Sequence, residues 1–449
     1  MKVVLTHAYF IYEDVKEQKI MRPYPTLGLL YISAFLKREN KDITLVDSTF
    51  SSINDWRKEI LLKQPKIVAF YTNLMTKVQV IEQLQYLKEQ LPETHFIVGG
   101  PDVTYNQENY LKAGFDFVVI GEGEQTMLDL VNALETNGDL NTIPGISFLD
   151  NGELKENEPR TKIRELPTLP FPDRGAIPFE KYLNVWQEHH GKRTANISTQ
   201  RGCPYTCKWC STAVYGQSYR RNEPDRVVAE ILHLKGDFGV EALWFVDDVF
   251  TVSHKWIERL HAEFTKHQLV MPFEIITRAE RLNKSVLQQL KEMGCFRIWI
   301  GAESGSQKII DRMDRRVKLE TVQEMMQLTQ SMGMEAGTFI MVGYPGETHE
   351  DIRATLEHIE HCNPDLLTIT RAYPIKGTAL YEEIEAEITV KPDWNTSTDR
   401  DIRFQLPYSD AYYENAIRYL VNGWQAHKFN SLKKKVKSKA AYQLMRMGK

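Results

Sequence analysis

Over residues 1–135 short apolar runs alternate with stretches of helical spacing. "KVVLTHA", "DITLVD", "KIVAFYT", "HFIVGG" and "FDFVVIGEGE" read as buried strands. Between them lie amphipathic stretches. "TLGLLYISAFLKREN" carries apolar residues at Leu27, Leu30, Ile32 and Phe35, and "VQVIEQLQYLKEQL", "NQENYLKAG" and "QTMLDLVNALETN" continue the pattern. Five strands separated by helices predict an α/β unit: a doubly wound, Rossmann-type parallel sheet with helices on both faces. Such sheets bind ligands at the carboxyl ends of their strands, so the loops to watch are 7–26, 72–77, 99–104 and 121–125.

The pattern changes after residue 137. "GISFLDNGELKENEPR" predicts a hairpin turning at Asn151-Gly152. The proline-rich "LPTLPFPDRGAIP" reads as a linker running over a surface. From residue 194 alternation resumes. Strands are expected in "ANISTQ", "ALWFVDD", "FEIITRA", "FRIWIGAES", "GTFIMVGYP" and "LLTITRAYP", with helices over 225–235, 254–267, 284–293, 319–332 and 350–361. Six βα units predict a partial, TIM-like (β/α)6 barrel, whose chemistry sits at the strands' carboxyl ends. The expected domains are thus 1–137, a linker with hairpin over 138–193, a barrel over 194–380, and a helical extension with a basic tail over 381–449.

Composition adds three points. No apolar run approaches the ~18 residues that span a bilayer. "MKVVLTHAYF" lacks the layout of a secretory signal, so the expected location is the cytoplasm, where thiols stay reduced. The net charge of −4 hides an asymmetry: residues 415–449 hold nine Lys or Arg and no Asp or Glu, leaving −13 for the remainder. That acidic bulk argues against nucleic acid as a partner. In the tail, Phe429, Leu432, Val436, Ala440 and Leu444 recur every three or four residues, with five lysines between Lys433 and Lys439. Two readings follow: the stripe packs on the barrel beneath solvated lysines, or the helix makes peripheral contact with a membrane.

Three of the five cysteines, Cys203, Cys207 and Cys210, lie within "RGCPYTCKWCS". A structural zinc site needs four ligands. Cys295 begins a strand and Cys362 ends a helix, where each reads as a small buried hydrophobe. A redox C-x2-C pair would leave Cys203 unexplained. A [4Fe–4S] cluster on three thiolates, with one iron open, accounts for all three.

This C-x3-C-x2-C spacing after the first strand of a partial barrel resembles the radical S-adenosylmethionine (SAM) superfamily. The resemblance implies that the open iron chelates SAM, and that the cluster, reduced by an external flavodoxin- or ferredoxin-type donor, cleaves it to a 5′-deoxyadenosyl radical. Trp209 matches the aromatic residue before the third cysteine. "WFVDDVF" implies Asp247 or Asp248 at the SAM amine, and "IWIGAESGS" implies Glu303 and Ser304 at its ribose and carboxylate. Arg278 is placed to pair with the carboxylate, and "MVGYPGET" implies Gly343 beside the adenine. The plainer readings make Asp247 a helix-capping residue and Arg278 a surface ion pair. This match covers residues 194–378.

"PTLGLLYISAFLK", "IVGGPDVT" and "DFVVIGEGE" resemble the cobalamin (B12)-binding domain found ahead of many radical SAM proteins. The implied contacts are Thr72, Asn73, Gly99, Gly100, Gly121 and Glu122. The plainer reading makes these glycines tight turns. No D-x-H-x-x-G stretch exists, so cobalamin would bind base-off without a histidine ligand. Too few cysteines remain for a second cluster. The family then implies methylation of an unactivated carbon in a small-molecule or lipid-like substrate. Non-methylating cyclisation, dehydration or deoxygenation is the alternative, and a non-catalytic cofactor-binding protein is the third reading.

Overall fold

The computed structural model describes residues 1–212 and 214–448. The chain divides into two compact units. The first comprises Met1–Pro204, Ser211–Glu241 and Pro392–Asp401; the second comprises Tyr205–Cys210, Ala242–Lys391 and Ile402–Lys449.

The first unit holds β1 (Lys2–His7), β2 (Asp42–Val46), β3 (Ile67–Tyr71), β4 (His95–Gly99), β5 (Phe117–Val119), β6 (Ile146–Asp150) and β7 (Glu153–Glu156). Their order is β2-β1-β3-β4-β5-β6-β7, with the first five parallel. Successive side chains of a strand point to opposite faces. Val3, Leu5, Ile67 and Ala69 accordingly enter one core, while Val4, Val68 and Phe70 enter the other. Both faces are covered, which is why these strands read as unbroken apolar runs. The helices here are α1 (Val15–Ile20), α2 (Leu27–Arg38), α3 (Ile53–Lys63), α4 (Lys77–Gln90), α5 (Gln107–Ala113), α6 (Gly123–Thr136), α7 (Phe179–His190) and α8 (Pro224–Phe238). The periodicity missed α3, which buries only Trp56 and Ile60 and starts on the Ser52 cap.

Two expectations change between residues 138 and 193. The Asn151-Gly152 turn forms with both φ angles positive, at 51° and 86°. Its hairpin, however, extends the parallel sheet: β6 pairs antiparallel with β5. The proline-rich stretch leads directly into α7, so the segment is more than a surface linker. Phe179, Tyr182, Leu183 and Trp186 are buried along one helical face. The Tyr182 hydroxyl is 2.7 Å from both Asp47 Oδ2 and Thr49 Oγ1, and Trp186 Nε1 donates to the Pro23 carbonyl at 2.7 Å. The helical spacing was hidden because Pro178 precedes it and polar residues fill the outer face.

Strands form in all six segments predicted after residue 194. β8 (Thr194–Ile197) belongs to the first unit, as do the short antiparallel pair β9 (Gln200–Arg201) and β10 (Arg220–Arg221). The second unit carries β11 (Ala242–Phe245), β12 (Phe273–Thr277), β13 (Cys295–Glu303), β14 (Glu335–Val342) and β15 (Leu366–Arg371), parallel throughout and adjacent in chain order. Between and beyond them run α9 (His254–Lys266), α10 (Lys284–Met293), α11 (Gln307–Arg312), α12 (Leu319–Ser331), α13 (His349–Cys362) and α14 (Ala379–Ile384).

A helical hairpin follows, α15 (Asp410–Lys428) and α16 (Leu432–Met447). α16 buries Ser438, Ala441 and Met445, and the Ser438 hydroxyl donates to the Tyr419 carbonyl at 3.0 Å. The stripe Phe429, Leu432, Val436, Ala440 and Leu444 is exposed. The expectation that it packs inward is therefore incorrect: small residues on the opposite face permit the close approach. Among the described residues, no helix is long and apolar enough to cross a membrane.

The Tyr182 hydroxyl tests α7. Tyr182→Phe removes one hydrogen bond from the buried Asp47 carboxylate and is expected to cost about 1–3 kcal/mol in urea unfolding. Unchanged stability would show that α7 is not held through this contact.

Candidate active site and cofactor cavity

The peptide before the first cysteine is fixed within the first unit. Arg201 is buried; its Nη1 donates to Glu122 Oε1 at 2.7 Å and its Nη2 donates to Glu124. The same guanidinium lies over the rings of Tyr31 and Tyr215, 5.3 and 5.5 Å from their centroids. Gly202 adopts φ +85°, and a β-carbon there would sit 2.4 Å from the Ser218 carbonyl oxygen. Only glycine fits that approach. The half-buried Cys203 thus leaves a rigid mount.

Cys207 and Cys210, also half-buried, belong to the segment Tyr205–Cys210 of the second unit. The Thr206 hydroxyl donates to Asp314 at 2.7 Å. The Lys208 N–H donates to the Met313 carbonyl at 3.1 Å, and the Lys208 carbonyl accepts from Leu380 N–H at 2.8 Å. Trp209 packs against the cluster of Ile309, Met313, Tyr344 and Leu380. All five cysteines are free thiols. Cys295 and Cys362 are buried, as their sequence context suggested, and burial pushes both thiols up, Cys362 to about 12. Among the described residues no three His, Cys, Asp or Glu side chains converge as ligands of a single metal ion.

Beside this loop stand three charged side chains. Arg278 donates from Nη1 to Cys207 Sγ at 3.2 Å, from Nε to Glu280 and from Nη2 to the Arg315 carbonyl. Its guanidinium lies 4.0 Å from the Tyr205 ring centroid. The solvated ion pair offered as the plainer reading is excluded, because Arg278 is only 4% exposed. Arg315, in the charged stretch "DRMDRR", is buried and donates to the Gly301 carbonyl at 2.9 Å, while its Nη1 has no partner.

Glu303 ends β13 at a register shift and takes a left-handed backbone, φ 67°. A non-glycine residue pays for that conformation, and such outliers gather at functional sites. The residue is only 6% exposed. Burial raises its pKa to about 7 against the opposing pull of Arg315 and Arg278.

The remaining barrel candidates separate. Asp247 is buried while Asp248 is exposed, so the pair is not equivalent. Ser304 is fully buried; its hydroxyl accepts from Ser306 N–H at 3.1 Å and lies 3.4 Å from the Thr355 hydroxyl on α13, so it is engaged inside the protein. Gly343 turns at φ +77°, and its N–H donates to Glu347 Oε2 at 2.6 Å. Burial raises the Glu347 carboxyl to about 8, and its Oε1 has no partner.

In the first unit, the carboxyl ends of β3, β4 and β5 border a cavity of about 220 Å³. Gly99, Gly100, Gly121 and Glu122 line it with Gly28, Ile32, Tyr71, Met127 and Tyr215. Gly100, at φ +122°, would place a β-carbon 2.1 Å from the Thr72 carbonyl oxygen, so loop closure here requires glycine. Thr72 itself is buried beside the Tyr110 hydroxyl, 3.3 Å away. Asn73 caps its own turn through Met75 and Thr76 N–H groups and borders a second cavity of about 640 Å³. Glu122 is occupied by Arg201, Arg220 and the Ile163 N–H, all within 2.8 Å. His7 ends β1, with Nε2 2.9 Å from Asp47 Oδ1 and Nδ1 accepting from Tyr9 N–H at 3.2 Å. Both its nitrogens are in use.

Family models match both parts of the chain: the radical SAM superfamily over residues 197–359 and the B12-binding domain over residues 19–131. The chain belongs to the radical SAM enzymes that carry a B12-binding domain. An uncharacterized methyltransferase of Pyrococcus horikoshii is 28% identical, covering 86% of this chain and 84% of its own. The anaerobic magnesium-protoporphyrin IX monomethyl ester cyclase of Rubrivivax gelatinosus is 26% identical over 82% and 67%. The structure of the methyltransferase TsrM from Kitasatospora setae, with cobalamin and a [4Fe–4S] cluster bound, shares the fold at TM-score 0.74, 13% identity and 99% coverage of both chains. The cofactors of this radical SAM enzyme are a [4Fe–4S] cluster, SAM and cobalamin.

The residues present fit those groups. Three free, half-buried thiols at C-x3-C-x2-C spacing suit a cluster, in which each thiolate binds a different iron. A cavity walled by Gly28, Gly99, Gly100, Gly121 and Gly123 suits a ligand approaching the backbone closely. Sequence reading missed Arg201, Arg315 and Tyr215. The one available signal was Arg201, a charged residue directly before the glycine and cysteine.

The raised Glu303 carboxyl makes a pH prediction for the apoprotein. The folded state keeps a proton that the unfolded chain releases between about 4.5 and about 7, so stability falls as pH rises through that window. Glu303→Gln removes this effect. The variant is expected to exceed the parent above that window by up to about 3 kcal/mol, with the gap closing at lower pH. Urea unfolding at several pH values measures it, and a pH-independent gap would remove the assigned cause.

Proposed function

We propose that this radical SAM enzyme methylates an unactivated carbon of a small-molecule or lipid-like substrate. The observation that carries the reading is the glycine-walled cavity at β3, β4 and β5, in a chain that also bears the mounted cysteine loop. When bound, the cofactors supply reductive cleavage of SAM and a transferable methyl group.

The chain's own residues have separate tasks. Cys203, Cys207 and Cys210 would hold the cluster, which would supply the electron for SAM cleavage. Arg278 orients the loop through Cys207, and its other donors hold Glu280 and the Arg315 backbone, so it reaches the SAM carboxylate only by exchanging a partner. Glu303 accepts from the SAM ribose, with Arg315 fixing the preceding backbone through Gly301. Asp247 receives the SAM amine, and the Gly343 turn borders the adenine. The cavity lined by Ile32, Tyr71 and Met127 would hold the nucleotide base of cobalamin against apolar side chains.

The similarity to a named cyclase supports a second reading, in which the radical rearranges or dehydrates substrate without methyl transfer. Anaerobic reconstitution is expected to give about four irons per chain, lost in Cys207→Ala. Protein made with cobalamin present is expected to retain a base-off corrinoid spectrum. Product mass then decides: a gain of one methylene unit supports methylation, whereas loss of water or hydrogen moves the assignment to the second reading.

A further inference from the structure

We propose that the outward face of α16 is a docking surface for an anionic membrane. The inference is independent of the reaction at the barrel. α16 packs on α15 through Ser438, Ala441 and Met445, which are small or slender enough to bring the two helices close. The face turned away carries the large apolar side chains. Leu432 is 79% exposed, Val436 67%, Leu444 50% and Met447 82%, and Phe429 just before the helix is 66% exposed. At 3.6 residues per turn these positions fall within an arc of roughly 120° opposite the packed face. Isolated exposed apolar residues are ordinary, but an aligned set on one helix is not.

Charge selects the occupant. Lys435, Lys439 and Arg446 border the arc on one side and Lys437 on the other, while Lys433 falls within it at the first turn, all exposed. No acidic residue occurs between 415 and 449. A purely basic face would suit any polyanion. A purely apolar one would suit a hydrophobic groove. An apolar arc flanked on both sides by cations matches a bilayer interface, where acyl chains lie below a plane of anionic headgroups. The chain is held to α15 by its other face, so the arc is presented without unfolding anything.

Flotation of the full-length reconstituted enzyme with vesicles tests this. Binding is expected with mixed phosphatidylserine and phosphatidylcholine, weaker with phosphatidylcholine alone, and reduced by added salt as exposed charges are screened. Val436→Asp with Leu444→Asp is expected to lower partitioning at least about tenfold, since each loses the burial of a large apolar group. Iron content serves as the folding control and should not change. The proposal is overturned if the parent ignores phosphatidylserine vesicles, or if the double variant floats as well as the parent. It is equally overturned if heparin retains parent and double variant alike while neither binds vesicles, which would mark the face as a site for soluble polyanions.

Discussion

Parallel strands cannot be joined by tight turns. Each must be fed by a crossover that returns the chain to the same end, so the carboxyl ends collect along one edge. Both units obey this constraint, and both sets of candidate residues follow from it. In the first unit His7, Tyr71 and Gly99 end strands β1, β3 and β4, and the Gly121–Met127 segment follows β5. In the second, Asp247, Arg278, Glu303 and Gly343 occupy the ends of four successive strands. The helices contribute little chemistry themselves. Their role is to bury both faces of each sheet so that the edge is rigid.

Rigidity at that edge comes from buried charge as much as from packing. Arg201 with Glu122, Glu124 and Arg220 forms a buried network just before the first cysteine. Removing one partner of such a network leaves the others uncompensated, which costs more than the network contributes when intact. Arg278, Arg315 and Glu303 repeat the situation beside the second and third cysteines, with less satisfaction: Glu303 is buried in a strained backbone, and one Arg315 nitrogen is unpaired. That imbalance suits a place where a polar ligand completes the arrangement.

The strands, nearly every barrel helix and the cysteine loop were legible because each rests on local pattern. Apolar runs mark strands buried on both faces, and a three-cysteine spacing survives whatever surrounds it. What escaped depended on distance. Arg315 lay in a charged run that any reader would leave in solvent, and only Gly301 and Arg278 make it interior. α7 was masked by the prolines before it. The outward turn of α16 was unreadable for a related reason. Its stripe has the spacing of a core face, and only the steric fit of Ser438 and Ala441 against α15 decides which side is buried.

The two remaining thiols give the cysteine loop a further property. Cys295 and Cys362 are buried, and burial suppresses their thiolates, so neither is a ready nucleophile toward oxidants or toward a nearby disulfide. When the apoprotein meets air, the chemistry is therefore confined to Cys203, Cys207 and Cys210. Any bridge that forms within the chain is a short one inside a single loop, with no interior thiol to relay the exchange. Such damage leaves the folded core untouched and is undone by a simple reductant, up to the point where one of the three sulfurs is oxidised beyond sulfenic acid.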